Sequence, residues 1–119
     1  MNVAAQVRLD QTDNLLEGRS PGGTWPRWGV WLIRLAIEHE LDALWARRSP
    51  TGMTRSRRSQ LLALGVVVDS DTQHRVTELW NTLSRAAHHH HYELAPTAAE
   101  VRGWLREARR LCTHLANHV

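Results

Sequence analysis

Arg85-Ala86-Ala87-His88-His89-His90-His91-Tyr92 brings an arginine, four of the chain's eight histidines and its single tyrosine into one short stretch. The types are those that cleaving RNA without a metal requires. A base titrating near neutral pH must take the proton of a ribose 2′-hydroxyl, and histidine does so. A fixed cation must meet the negative charge that builds on the phosphate in the transition state, and arginine suits that. Two other chemistries fit less well. Consecutive histidines step round a helix by roughly 100° each, so four in a row cannot face one metal ion. The pattern of two histidines flanking a glutamate, which zinc proteases use, is also absent. Ser84 has no nucleophile elbow around it, and Cys112 lies on an apolar helical face.

Which histidine acts depends on the backbone. On a regular helix Arg85 shares a face with His89 and with Tyr92, while His90 leans toward the apolar Leu83–Ala87 side. A helix that continues through the run makes His89 the base. One that bends near His88 frees His90 to reach the groove.

The elements that must position this stretch are helical. From Arg27 to Arg48 the residues Val30, Ile33, Ile37, Leu41, Leu44 and Trp45 recur at three- and four-residue steps, until Ser49-Pro50-Thr51-Gly52 ends the pattern. A second helix is predicted from Thr54 or Ser56 to Leu64, with Gly65 closing it. Val66-Val67-Val68 has no partner strand elsewhere and is predicted to be a buried connection. Ser70 and Gln73 form a capping box that opens a helix running through Val76, Leu79, Trp80 and Leu83 into the histidines. Thr97 and Glu100 open the last helix, whose apolar face is Val101, Trp104, Leu105, Ala108, Leu111, Cys112 and Leu115. The expected fold is all-α, an antiparallel bundle of four to five helices spanning residues 28–119. Residues 1–27, broken by Ser20-Pro21-Gly22-Gly23, are expected to form an N-terminal arm with one short helix.

At 119 residues the chain supports one core. All 15 basic residues are arginine, and the net charge of +3 favours an acidic partner, nucleic acid first. Arg102, Arg106 and Arg109 on the last helix are candidates for an RNA-facing stripe; solvation of a helix face is their ordinary role. Six tryptophans replace the missing phenylalanine as large core filler. One cysteine and no apolar run of membrane-spanning length imply a cytoplasmic protein.

The arginine–histidine run resembles the Arg-x4-His-x-Tyr motif of the HEPN superfamily, small helical bundles common in bacterial toxins and defence systems. Arg85, His90 and Tyr92 fall on its three fixed positions, late in the penultimate long helix, and the likeness spans roughly Trp28 to Leu115. Position 86, where the family often carries a polar residue, is alanine. The resemblance implies a metal-independent endoribonuclease that needs no cofactor and works as a homodimer, with Arg85 and His90 of both copies lining a shared cleft. His89 and His91 are supporting or alternative groups. It further implies a nucleotidyltransferase antitoxin that adds AMP to Tyr92. A different class of function is also open: a non-catalytic dimeric helical module that pairs through its tryptophan-rich helix and binds RNA or a protein.

Overall fold

The computed structural model describes residues 1–18, 25–48, 56–88 and 94–118. Among them are five helices: α1 (Val3–Glu17), α2 (Trp25–Arg48), α3 (Arg57–Ala63), α4 (Ser70–Ala87) and α5 (Ala98–Ala116), with a 3-10 turn at Leu64–Val66 after α3. No strand occurs among the described residues. The protein is an all-α bundle.

Helix α2 is the axis, and α1, α3, α4 and α5 all pack on it. Its inward residues Val30, Ile33, Ala36, Ile37, Leu41 and Leu44 follow the predicted stripe and are fully buried. Direction follows from who meets whom. Asn2 donates its backbone N–H to Glu40 at 2.9 Å, so the start of α1 lies against the second half of α2 and the two are antiparallel. Arg27, in the first turn of α2, reaches the end of α4, and Arg47, in its last turn, reaches the end of α5. Helices α1, α2, α4 and α5 therefore run alternately up and down.

The N-terminal stretch is a full partner in this core rather than an arm. Ala5, Leu9 and Leu16 are buried with the residues of α2 and α5, and Asn2 caps the helix by accepting from the N–H groups of Ala4 and Ala5. Its inward row of Ala5, Leu9, Thr12 and Leu16 is narrow and carries only two large apolar residues. Such a row gives little periodic signal, yet it fits the close approach at Gly29. A Cβ at Gly29 would stand 3.3 Å from Val101 and 3.7 Å from Thr12.

Three further expectations are corrected. Asp69, not Ser70, caps α4, accepting from the N–H of Thr72 at 3.0 Å. Gln73 is thereby free to donate to the carbonyls of Leu61 and Leu62 at 3.2 and 3.1 Å, closing the end of α3. The three valines are not all buried, because the 3-10 turn sends Val66 outward while Val68 packs inward. The tryptophans are not the core filler. Leucine, isoleucine, valine and alanine fill the bundle, Trp28 and Trp31 are exposed, and the other four are half-buried. An indole N–H needs a polar partner, which favours the margin of the core; Trp80 finds one in Glu38 at 3.2 Å. The Ser56 cap of α3 and the Thr97–Glu100 capping box of α5 are as predicted.

Candidate functional site

Helix α4 carries the arginine of the motif in its last turn. Its buried residues Thr72, Val76, Leu79 and Leu83 define the inward side, and the exposed residues His74, Glu78, Asn81, Arg85 and His88 recur along the opposite side. Arg85 therefore points straight away from the core. Its guanidinium meets no hydrogen-bond or ion-pair partner among the described residues.

The helix does not run into the histidines. It ends at Ala87, and His88 is extended at φ −74° and ψ 132°. A side chain from another helix meets this end. Arg27 donates from Nη1 to the carbonyl oxygens of Ala86 at 3.2 Å and His88 at 3.0 Å. The last carbonyls of a helix lack intrahelical partners and form its negative pole, which a guanidinium satisfies on both counts. Of the proposed site residues, His89, His90, His91 and Tyr92 lie outside the described residues.

Arg102 and Arg106 are exposed on the outer face of α5. Arg109 is engaged differently: its guanidinium holds Asp10 at 3.0 Å and also Asp13, tying α5 to α1. Burial opposes the charge of Arg109, but the two carboxylates more than offset it and raise its pKa. Between α4 and α5 runs a groove of about 420 Å³ lined by Asp71, Arg75, Glu78, Trp104 and Glu107 among others, in which Arg75 pairs with both Asp71 and Glu107.

A larger open groove, about 1050 Å³, separates α3 from α4 and is lined by Arg58, Leu61, Leu62, His74, Trp80 and Asn81 among others. It shares His74 and Asn81 with the Arg85 face. A smaller one of about 260 Å³ lies at the end of α4, against Arg27, Ala86, Leu94, Pro96, Glu100 and Trp104. Arg85 lines none of the three.

The other reactive groups are placed away from the motif or held inert. Among the described residues no three histidine, cysteine, aspartate or glutamate side chains gather as metal ligands would. His114 and His118 pack ring to ring beside Asp69, at the start of α4 and so about 27 Å of helix from Ala87. The Ser84 hydroxyl is buried and meets no hydrogen-bonding base among the described residues. Cys112 is fully buried. Burial, with the Glu40 carboxylate adding to it, pushes its thiol up to about 12.

No protein-family model, curated protein or solved structure matches this chain.

Among the described residues no helix is long and apolar enough to cross a membrane. The residue at this end of α4 that sequence reasoning missed is Arg27. It stands 59 and 61 positions from the carbonyls it holds, and no local pattern marks it.

Proposed function

We propose that the protein is a metal-independent endoribonuclease of the HEPN type, serving a toxin–antitoxin or antiviral defence system in the cytoplasm as a symmetric homodimer. One observation carries the reading most: in the last turn of α4 the Arg85 guanidinium faces solvent and meets no partner among the described residues. Arg57, Arg75 and Arg109 are held by acids and Arg27 and Arg47 by helix-end carbonyls, whereas Arg102 and Arg106 are exposed as Arg85 is. The spacing from Arg85 to His90 and Tyr92 supports the same reading, as does the all-helical bundle.

His90 takes the proton of a 2′-hydroxyl. That oxygen then bonds to phosphorus, the bond to the 5′-oxygen breaks, and the leaving oxygen collects a proton. A 2′,3′-cyclic phosphate and a 5′-hydroxyl result. Arg85 holds the non-bridging oxygens as their charge grows. In one copy Arg85 is exposed to water, where such an interaction is weak. A second copy closing over the α4 face turns that surface into a cleft. Arg102 and Arg106 guide RNA by binding its phosphates. AMP placed on Tyr92 by a nucleotidyltransferase sets an anion near Arg85 and silences it.

A second reading has its own observation. Trp28 and Trp31 are 61% and 46% exposed on α2. The Arg34 guanidinium lies 5.5 Å from the Trp31 ring and 5.1 Å from the Trp80 ring. Such an aromatic patch anchors interfaces, and a non-catalytic dimer that binds RNA or protein needs nothing more.

Incubating the purified protein with RNA in excess EDTA, beside Arg85→Ala and His90→Ala variants, tests both. Cleavage that survives EDTA and disappears in both variants is expected. RNA bound but never cut would favour the non-catalytic module, and a strict monomer at micromolar concentration would end both readings.

A further inference from the structure

A polar row runs along the outer side of α4. Ser70, His74, Thr77, Asn81 and Arg85 follow one another at three- and four-residue steps, so they share one side of the helix. The first four line the open groove of about 1050 Å³ between α3 and α4. Arg85 is the next residue of the row, one turn beyond Asn81. From Ser70 to Arg85 the row covers about 22 Å of helix.

The rest of the groove is lined by Arg58, Leu61 and Leu62 of α3 and by the half-buried Trp80. Leu62 is 70% exposed, an apolar side chain with little to cover it. The Trp80 ring is fixed, its N–H donated to Glu38 at 3.2 Å and the Arg34 guanidinium 5.1 Å from its centre. Arg58 is exposed and meets no partner among the described residues, although Arg57 beside it is held by Asp42. Asp71, the acid that lines the groove, is already taken by Arg75 at 2.9 Å. The groove therefore offers a free cation next to apolar and aromatic surface. An unpaired nucleotide has the matching parts, a phosphate and a flat base. In a duplex the base faces are covered by stacking on one another, so Leu62 and Trp80 suit a single strand.

We propose that the α3–α4 groove holds an unpaired RNA strand on its way to Arg85, with bases against Leu62 and Trp80 and a phosphate on Arg58. The inference rests on the ribonuclease reading for what happens at Arg85, though not for the binding of the strand. Asn81, at the end of the groove next to Arg85, joins the two. The groove residues set affinity and the choice of single strands; they touch no reacting atom.

The test uses the full chain and an unstructured RNA strand of mixed sequence whose 2′-hydroxyls are methylated, so that it binds without being cut. Beside it stand the same strand annealed to its complement and a version that keeps every phosphate but lacks several bases. Arg58→Gln and Leu62→Ser replace exposed residues, so the fold is retained. By fluorescence anisotropy the parent should bind the intact strand roughly 5-fold or more tightly than the base-depleted one, the scale of one stacked base. Leu62→Ser should weaken binding of the intact strand alone. Arg58→Gln should weaken intact and base-depleted strands alike and lower the salt slope by about 0.7. Equal affinity of the parent for both strands, or no response to the two variants, overturns the proposal. So does a Leu62→Ser variant that splits a parent dimer in sedimentation while strand affinity holds, which assigns the groove to a second copy.

Cleavage of unmodified RNA in EDTA separates this proposal from the reading it rests on. Both groove variants should raise KM and leave kcat nearly unchanged, whereas Arg85→Ala should lower kcat. A parent that binds the strand as described but never cuts sinks the ribonuclease reading and leaves the groove standing. A parent that cuts, with groove variants that bind and cut as it does, sinks the groove and leaves the ribonuclease.

Discussion

Arg47 donates from Nη2 to the carbonyl of Leu115 at 3.2 Å, and also to that of His118 at 3.2 Å, doing for α5 what Arg27 does for α4. Gln73 treats α3 in the same way. Three of the five helices thus end on a side chain sent from another helix. The bundle is stitched at its corners as well as through its core. Charged hydrogen bonds contribute about 1.5–3 kcal/mol when sheltered, but Arg47 is exposed, so its share is smaller. Arg47→Ala should lower the unfolding free energy by about 1 kcal/mol in urea titrations. RNA cleavage by folded protein should not change.

The arginines of α5 divide by what they already hold. Arg109→Ala should cost about 1 kcal/mol of stability, because it releases α5 from Asp10 and Asp13. Its effect on RNA affinity should be small. Arg106→Ala should leave stability within about 0.5 kcal/mol and weaken RNA binding equally across sequences. The slope of log affinity against log salt should fall by about 0.7 for each single-strand phosphate that the variant no longer neutralises. Binding titrations at several salt concentrations separate the two variants. If Arg109→Ala alone changes the salt slope, the division is wrong.

These divisions show where sequence reasoning reaches and where it stops. Thr97 with Glu100 and Ser56 with the N–H of Ser59 pair groups three residues apart, and such local pairs are legible. So are the apolar stripes of α2, α4 and α5, whose large residues repeat at helical steps. Asp69 and Ser70 are both good caps in adjacent positions, and the pattern alone selects the wrong one. Trp28 reads as core because tryptophan is large and apolar; only the packed bundle reveals that α2 turns it outward. At the candidate site, Arg85 is legible from the motif. The contact of Arg27 with the end of α4 is not, since no periodicity links that residue to the histidines. What escapes is long-range capping, which has no local signature.

Gly103 sits in the interior of α5, and a Cβ built there meets nothing within 4 Å. Glycine costs a helix interior about 0.8–1 kcal/mol relative to alanine. Gly103→Ala should therefore raise the unfolding free energy by about that amount. Gly29→Ala makes the contrast, because its new methyl must press against Val101 between α1 and α5. The two variants compared by chemical denaturation should move apart, Gly103→Ala upward and Gly29→Ala less so or downward. A loss of stability in Gly103→Ala would mean that α5 has a neighbour on that face.

Cys112 gives the fold a pH dependence of determinate sign. Its thiol, with Sγ 3.9 Å from the carbonyl of Ala36, is pushed to about 12 by burial first and by Glu40 second. In the unfolded chain the same thiol loses its proton near about pH 8.5. Below that value both states hold the proton, and the group contributes nothing that varies with pH. Above it the unfolded chain is stabilised by ionising while the folded chain keeps the proton, so stability falls as pH rises toward 12. The steepest share from one proton is about 1.4 kcal/mol per pH unit. Cys112→Ala changes stability by an offset, since it leaves a small void, but it removes this slope. Unfolding free energies of the two chains, followed from about pH 8 to about pH 10.5, should converge as pH rises. A thiol reagent should label the native protein only at the rate of its opening. Parallel pH curves for the two chains, or rapid labelling of the native state, would mean that Cys112 reaches solvent.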